Sequence, residues 1–161
     1  MMVNITEEWD EYKYEQARAW LEYVRGLGER AKVAQALVES ERELLDGLRG
    51  IDYSSDGPTS PNDDALVDAI SRLQDHIKQY IENLVEYVDV RADAVKRING
   101  LKYAHEIECL YYRYMRNKSW EEICVDMAYT HDGMMKLRRR AIVSAYEVMP
   151  NDWRDPLHPA I

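Results

Sequence analysis

Residues Tyr103 to Met149 read YAHEIECLYYRYMRNKSWEEICVDMAYTHDGMMKLRRRAIVSAYEVM, and the punctuation of this stretch decides the fold. Ser119-Trp120-Glu121-Glu122 is a capping box. The Ser hydroxyl accepts from the Glu122 N–H, and the Glu122 carboxylate accepts from the Ser119 N–H, so a helix starts there. Thr130, with Asp132 in the turn that follows, starts another. Ahead of both, Tyr103 to Arg116 predicts a third, closed by Asn117-Lys118. Apolar residues recur at helical steps in each. They are Ile107, Leu110, Tyr111, Tyr114 and Met115, then Trp120, Ile123, Cys124 and Met127, then Met134, Leu137, Ala141 and Ile142. Ala128-Tyr129-Thr130 leaves a tight turn between the last two helices, and small Ala141 lets them cross closely. The residues left facing out on the last helix are His131, Asp132, Gly133, Met135, Lys136, Arg138, Arg139 and Arg140. Short side chains at the front and cations behind them suit a major groove, the first reaching base edges and the second phosphates. The expectation is a helix-turn-helix that meets double-stranded DNA through Lys118, Ser119, Thr130, His131, Asp132, Met135, Lys136, Arg138, Arg139 and Arg140.

Upstream, Leu66, Ile70, Leu73, Ile77, Tyr80, Leu84, Tyr87, Arg91, Ala94, Ile98 and Leu101 alternate steps of four and three without a slip, Arg91 being the one charged member. That is a heptad seam of about five repeats. Val67, Ile81, Val88 and Val95 widen it on one flank, so more than one helix can pack there. Asp63 or Asp64 caps its start, and Asn99-Gly100 interrupts its end. At ~1.5 Å per residue the helix is on the order of 55 Å long, more than one small domain needs. The expectation is an antiparallel hairpin within the chain and a second copy on the remaining face, with a monomeric three-helix bundle as the alternative. Two shorter patterns supply the other arm. From Asn4 to about Arg25 the stripe is Trp9, Tyr12, Trp20, Tyr23, Val24 and Leu27, with Thr6 as cap and Glu7, Glu8, Asp10 and Glu11 in the first turns. From about Glu29 to Leu48 it is Ala34, Leu37, Val38, Leu44, Leu45 and Leu48. Gly26-Leu27-Gly28 reads as a hinge between them. Residues 50–62, rich in Gly, Pro, Ser and Asp, read as a loop. Beyond Val148, Pro150 to Pro159 cannot continue a helix and read as a tail, with Trp153 docking back on the bundle.

The chain of 161 residues carries a net charge of -9, which weighs against DNA binding until its distribution is read. Lys102 to Ile142 carries +2 and the remainder -11. A basic end on an acidic body can grip DNA while the body suppresses loose binding. Phe is absent, and twelve Tyr and four Trp carry the aromatic load. Cys109 and Cys124 occupy apolar-periodic positions with no Cys or His at ligand spacing, so they read as buried thiols, not as a metal or redox pair. The first residues lack a basic start and apolar core, and no apolar run approaches the ~20 residues of a membrane span. A cytoplasmic protein is expected. There is no Gly-rich phosphate loop, no nucleophile elbow and no HExxH, and His76 and His105 read as satisfied surface histidines. No enzyme activity, cofactor or small-molecule substrate is expected.

From Leu110 to Tyr146 the residues resemble region 4 of bacterial sigma factors. They are more similar still to phage proteins of the ArpU and RinA type, which end in the pattern RYI-x-G-x-SW-x-EIA-x-x-LGYS-x-x-x-V-x-R-x-x-x-AL. Arg113-Tyr114-Met115, Lys118-Ser119-Trp120-Glu121-Glu122-Ile123, Ala128-Tyr129-Thr130, Met134, Arg140 and Ala141 stand in the matching places. The similarity extends weakly upstream to about Ala31, and residues 1–28 have no counterpart. Asn117 and Ala128 stand where the pattern has Gly, and Gly133 sits in the first turn of the reading helix. The resemblance implies a prophage-encoded transcriptional regulator in a bacterial host cell, with RNA polymerase as a further partner. A packaging-motor subunit that recognises DNA and a module that binds polymerase without DNA are the competing readings. The expected class is all-α: a helical, coiled-coil-like oligomerisation region (1–101, with its loop at 50–62), a helix-turn-helix (102–149) and a tail (150–161).

Overall fold

A computed structural model describes residues 5–49 and 61–155. Five helices follow in order: α1 Ile5–Arg49, α2 Pro61–Ile98, α3 Ala104–Leu110, α4 Trp120–Met127 and α5 His131–Ala145. A π-helical stretch, Tyr111–Met115, extends α3, and a 3₁₀ turn covers Asn151–Trp153. Among the described residues there is no strand, and the all-α class holds.

Three local expectations need correction. Gly26-Leu27-Gly28 does not divide two helices, because α1 runs through it. Each Gly costs roughly 1 kcal/mol against Ala inside a helix, but Gly28 is itself buried, and Leu21, Val24, Ala31 and Ala34 on either side are buried too. Burial of the flanking turns outweighs the local penalty. Thr6 is no cap, since α1 already includes Ile5. Likewise Asp63 and Asp64 lie inside α2, which already includes Pro61. The loop expected at 50–62 falls outside the described residues except for its last two positions, which are helical.

The chain divides into two compact units, Arg30–Val88 and Met1–Glu29 with Asp89–Ile161. In the first, Val38 and Leu45 of α1 pack on Ile77 of α2, with Ile70, Leu73 and Tyr80 against them. The heptad reading holds position by position, for Leu66, Ile70, Leu73, Ile77, Tyr80, Leu84 and Tyr87 are all buried or half-buried. Of the flank, Val67, Ile81 and Val88 stay exposed, with Val85 beside them, whereas Val95 is half-buried. On α1, Leu37 and Leu44, expected in the apolar stripe, are exposed as well, together with Val33.

The second unit holds the larger core. Ala17, Trp20, Leu21 and Val24 of α1 and Ala94 and Ile98 of α2 pack with Leu110, Tyr114, Ala141, Ile142 and Tyr146. Trp9 stacks on Tyr12 at 5.4 Å, and both rings meet Tyr146 edge-on at 6.0 and 6.3 Å. Arg91, the charged member of the seam, has its reason here. Its guanidinium lies 5.9 Å from the Tyr111 ring, and Nη2 donates to the Tyr111 hydroxyl at 3.4 Å. Arg97 donates to Asp93 Oδ2 at 2.8 Å and to the Val148 carbonyl at 3.0 Å, tying the end of α2 to the segment after α5. The expected docking of Trp153 is present, its ring 5.0 Å from Tyr23.

Candidate nucleic-acid interface

The helix-turn-helix frame is set by its caps. Glu122 N donates to Ser119 Oγ at 3.2 Å and Ser119 N to Glu122 Oε2 at 2.9 Å, closing the capping box at the start of α4. Thr130 caps α5 by accepting from Gly133 N at 3.1 Å. Gly133 has a structural reason, because a Cβ there would lie 3.0 Å from that same Thr130 oxygen. The two turns each need one left-handed residue, Asn117 (φ 55°) before α4 and Ala128 (φ 56°) after it. These are the two positions where the resembled pattern has Gly. Arg113 braces the first turn by donating from Nη1 to the Lys118 carbonyl at 3.1 Å.

Beneath the turns lies a small core of Cys109, Ile123, Met134 and Leu137, covered by Trp120, Met127, Tyr129 and Met135. Cys109 is fully buried, and its thiol is pushed up to about 12 by that burial. Buried free thiols were expected, and Cys109 is one, whereas Cys124 is half-buried.

The ten residues singled out from the sequence separate into three groups. Thr130, His131, Asp132, Lys136 and Arg140 are exposed on the outer side of α5 and its cap. Lys136 and Arg140 make no ion pair among the described residues, while His131 and Asp132 face each other at 3.7 Å. A second group is turned to structural use. Ser119 is the α4 cap. Lys118 binds Asp126 at 2.6 Å over the Tyr112 ring, and that bond raises its pKa. Met135 is half-buried in the small core. Arg138 is half-buried rather than facing out, its guanidinium 4.8 Å from the Trp120 ring, over which Arg113 also lies at 5.3 Å. Arg139 stands alone in the third group, exposed but held by Glu11 of α1 at 2.7 Å. Glu11 carries no local sequence signal for this role, since the partners are 128 residues apart.

Beside α5, Tyr103, His105, Glu106, Tyr129, Leu137 and Arg140 line an open groove of about 480 Å³. His105 Nδ1 lies 2.6 Å from the Tyr129 hydroxyl, and Glu106, missed from sequence as a buried residue, is 6% exposed. No group of three or more His, Cys, Asp or Glu among the described residues is placed to hold a metal ion. No helix there is long and apolar enough to cross a membrane. Compared with known families, curated proteins and solved structures, the chain matches none.

Proposed function

We propose that this chain is a DNA-binding transcriptional regulator of the phage or prophage type, acting as a homo-oligomer in the cytoplasm of a bacterial host. The observation that carries the reading is the outer side of α5. Lys136 and Arg140 stand exposed, with no ion-pair partner among the described residues, behind Thr130, His131 and Asp132, on a helix fixed by its own cap and by a tight turn from α4. Unpaired cations on a rigid helix can exchange counterions for phosphates, and the short front residues come within reach of base edges. Binding, not catalysis, is the role this supports.

Fluorescence anisotropy with duplexes taken from upstream of its own and neighbouring genes tests the proposal. Salt-sensitive, sequence-selective binding is expected. Lys136→Ala with Arg140→Ala should weaken it about tenfold near 50 mM salt and reduce the log–log salt slope by about 2. No binding to any duplex at low salt would sink the reading.

A second copy is the proposed occupant of the apolar flank of residues 30–88. Ile81, Val85 and Val88 continue at steps of four and three while exposed, the spacing that a further helix covers. Val85→Glu with Val88→Glu is expected to reduce the mass measured by light scattering to that of one chain.

A further inference from the structure

The start of α1 has no role in the helix-turn-helix, yet it lies against α5. Its attachment is aromatic, through Trp9, Tyr12 and Tyr146, and is reinforced by Lys13 Nζ bound to Glu147 Oε1 at 2.9 Å. This fixes the backbone of α1 beside α5 through an acidic stretch of sequence, in which Glu7, Glu8 and Glu11 are exposed and Asp10 is half-buried. Glu11 reaches across to the reading helix. Its Oε2 accepts from Arg139 Nη2 at 2.7 Å, and the Arg139 guanidinium lies 5.2 Å from the Tyr14 ring. Both partners are about half exposed, at 51% and 54%. An exposed pair of this kind is weak and exchangeable. It occupies the guanidinium with the charge and geometry that a phosphate oxygen would offer.

We propose that Glu11 is a specificity-determining residue of the DNA interface, holding Arg139 until a correctly placed phosphate displaces it. The inference rests on the DNA-binding reading of α5. Lys136 and Arg140 have no such partner among the described residues and engage any duplex, giving the first, sequence-independent grip. Arg139 joins only where docking brings a phosphate close enough to replace the Glu11 carboxylate. On wrong sequences the Glu11 carboxylate stays in place and repels the backbone. Glu11 thereby lowers affinity for random DNA more than affinity for the target, which is how a repulsive element produces selectivity.

The test compares the full chain with Glu11→Gln, Arg139→Ala, the double variant, and Glu8→Gln, which removes a neighbouring charge without touching an arginine. Binding to a labelled mixed-sequence duplex is followed from about 50 to 200 mM salt. Glu11→Gln is expected to tighten binding about fivefold at the low end and steepen the salt slope by about 0.9, one phosphate contact. In the Arg139→Ala background the same change should do almost nothing, and Glu8→Gln should leave the slope unaltered. Equal binding by wild type and Glu11→Gln overturns the inference while leaving the DNA reading intact. So does an effect of Glu8→Gln as large as that of Glu11→Gln, which would reduce Glu11 to bulk charge. If no form binds DNA, the DNA-binding reading falls and the inference with it.

Discussion

Ala128 carries strain that its position forces on it. The turn between α4 and α5 needs left-handed backbone, and a residue with a Cβ is about 1–2 kcal/mol worse there than glycine. Ala128→Gly is therefore expected to stabilise the fold by about 1 kcal/mol, raising Tm by roughly 2–4 °C for a chain of this size, measurable by calorimetry. Asn117 meets the same demand more cheaply, because asparagine tolerates left-handed backbone. Cys109 makes a different prediction. Burial raises its thiol from the ordinary 9.0 to about 12, so the folded chain holds this proton more tightly than the unfolded one. The stability this represents is complete below pH 9 and is lost as pH rises toward 12. Burial raises the Tyr114 hydroxyl too, adding to the alkaline loss. Iodoacetamide at pH 8 should leave Cys109 unmodified in the folded protein and modify it once urea is added, read by peptide mass mapping. Fast labelling of native Cys109 would contradict its burial.

The short helices α4 and α5 depend on their first turns. With 8 and 15 residues, they are near or below the length at which an isolated helix is marginal in water. Ser119→Ala removes the Glu122 N–H partner and half of the capping box, and Thr130→Val removes the Gly133 N–H partner. Each is expected to cost about 1 kcal/mol, seen as a lower urea midpoint with an unchanged slope. Gly133 shows why helix propensity is a poor guide at such a position. Gly133→Ala brings a methyl to 3.0 Å from the capping oxygen, so part of the roughly 1 kcal/mol gained in propensity is lost at the cap. The long helices follow another rule. α2 is amphipathic enough to be specified by its seam, and the one charged seam residue, Arg91, marks where the seam leaves the hairpin and meets Tyr111.

The helix-turn-helix does not own its hydrophobic core. Leu110, Tyr114, Ala141, Ile142 and Tyr146 are buried against Trp20, Leu21 and Val24 of α1 and Ala94 and Ile98 of α2. A fragment of residues 102–155 would expose that surface, and burial of each large side chain contributes about 1.5–3 kcal/mol. The fragment is expected to lose most native helix and unfold without a sharp urea transition, as followed by circular dichroism. Cooperative folding of the fragment would show that its small second core of Cys109, Ile123, Met134 and Leu137 is sufficient.

Local signals in the chain specify the all-α class, the capping box, the Thr130 cap, the α2 seam and the ends of the short helices. Each depends on residues within a turn or two of one another, and periodicity and capping act at that range. The candidate site was legible only in part for the same reason. Exposure of His131, Asp132, Lys136 and Arg140 follows from helical periodicity, but the capture of Arg139 by Glu11 and the stacking of Arg138 on Trp120 join distant or separately folded elements. The unbroken path of α1 through two glycines, and the grouping of its start with the end of α2 around α5, likewise arose from packing. Burial of Trp20, Leu21 and Val24 against residues from Ala94 to Met149 outweighs local helix weakness, and no local pattern records it.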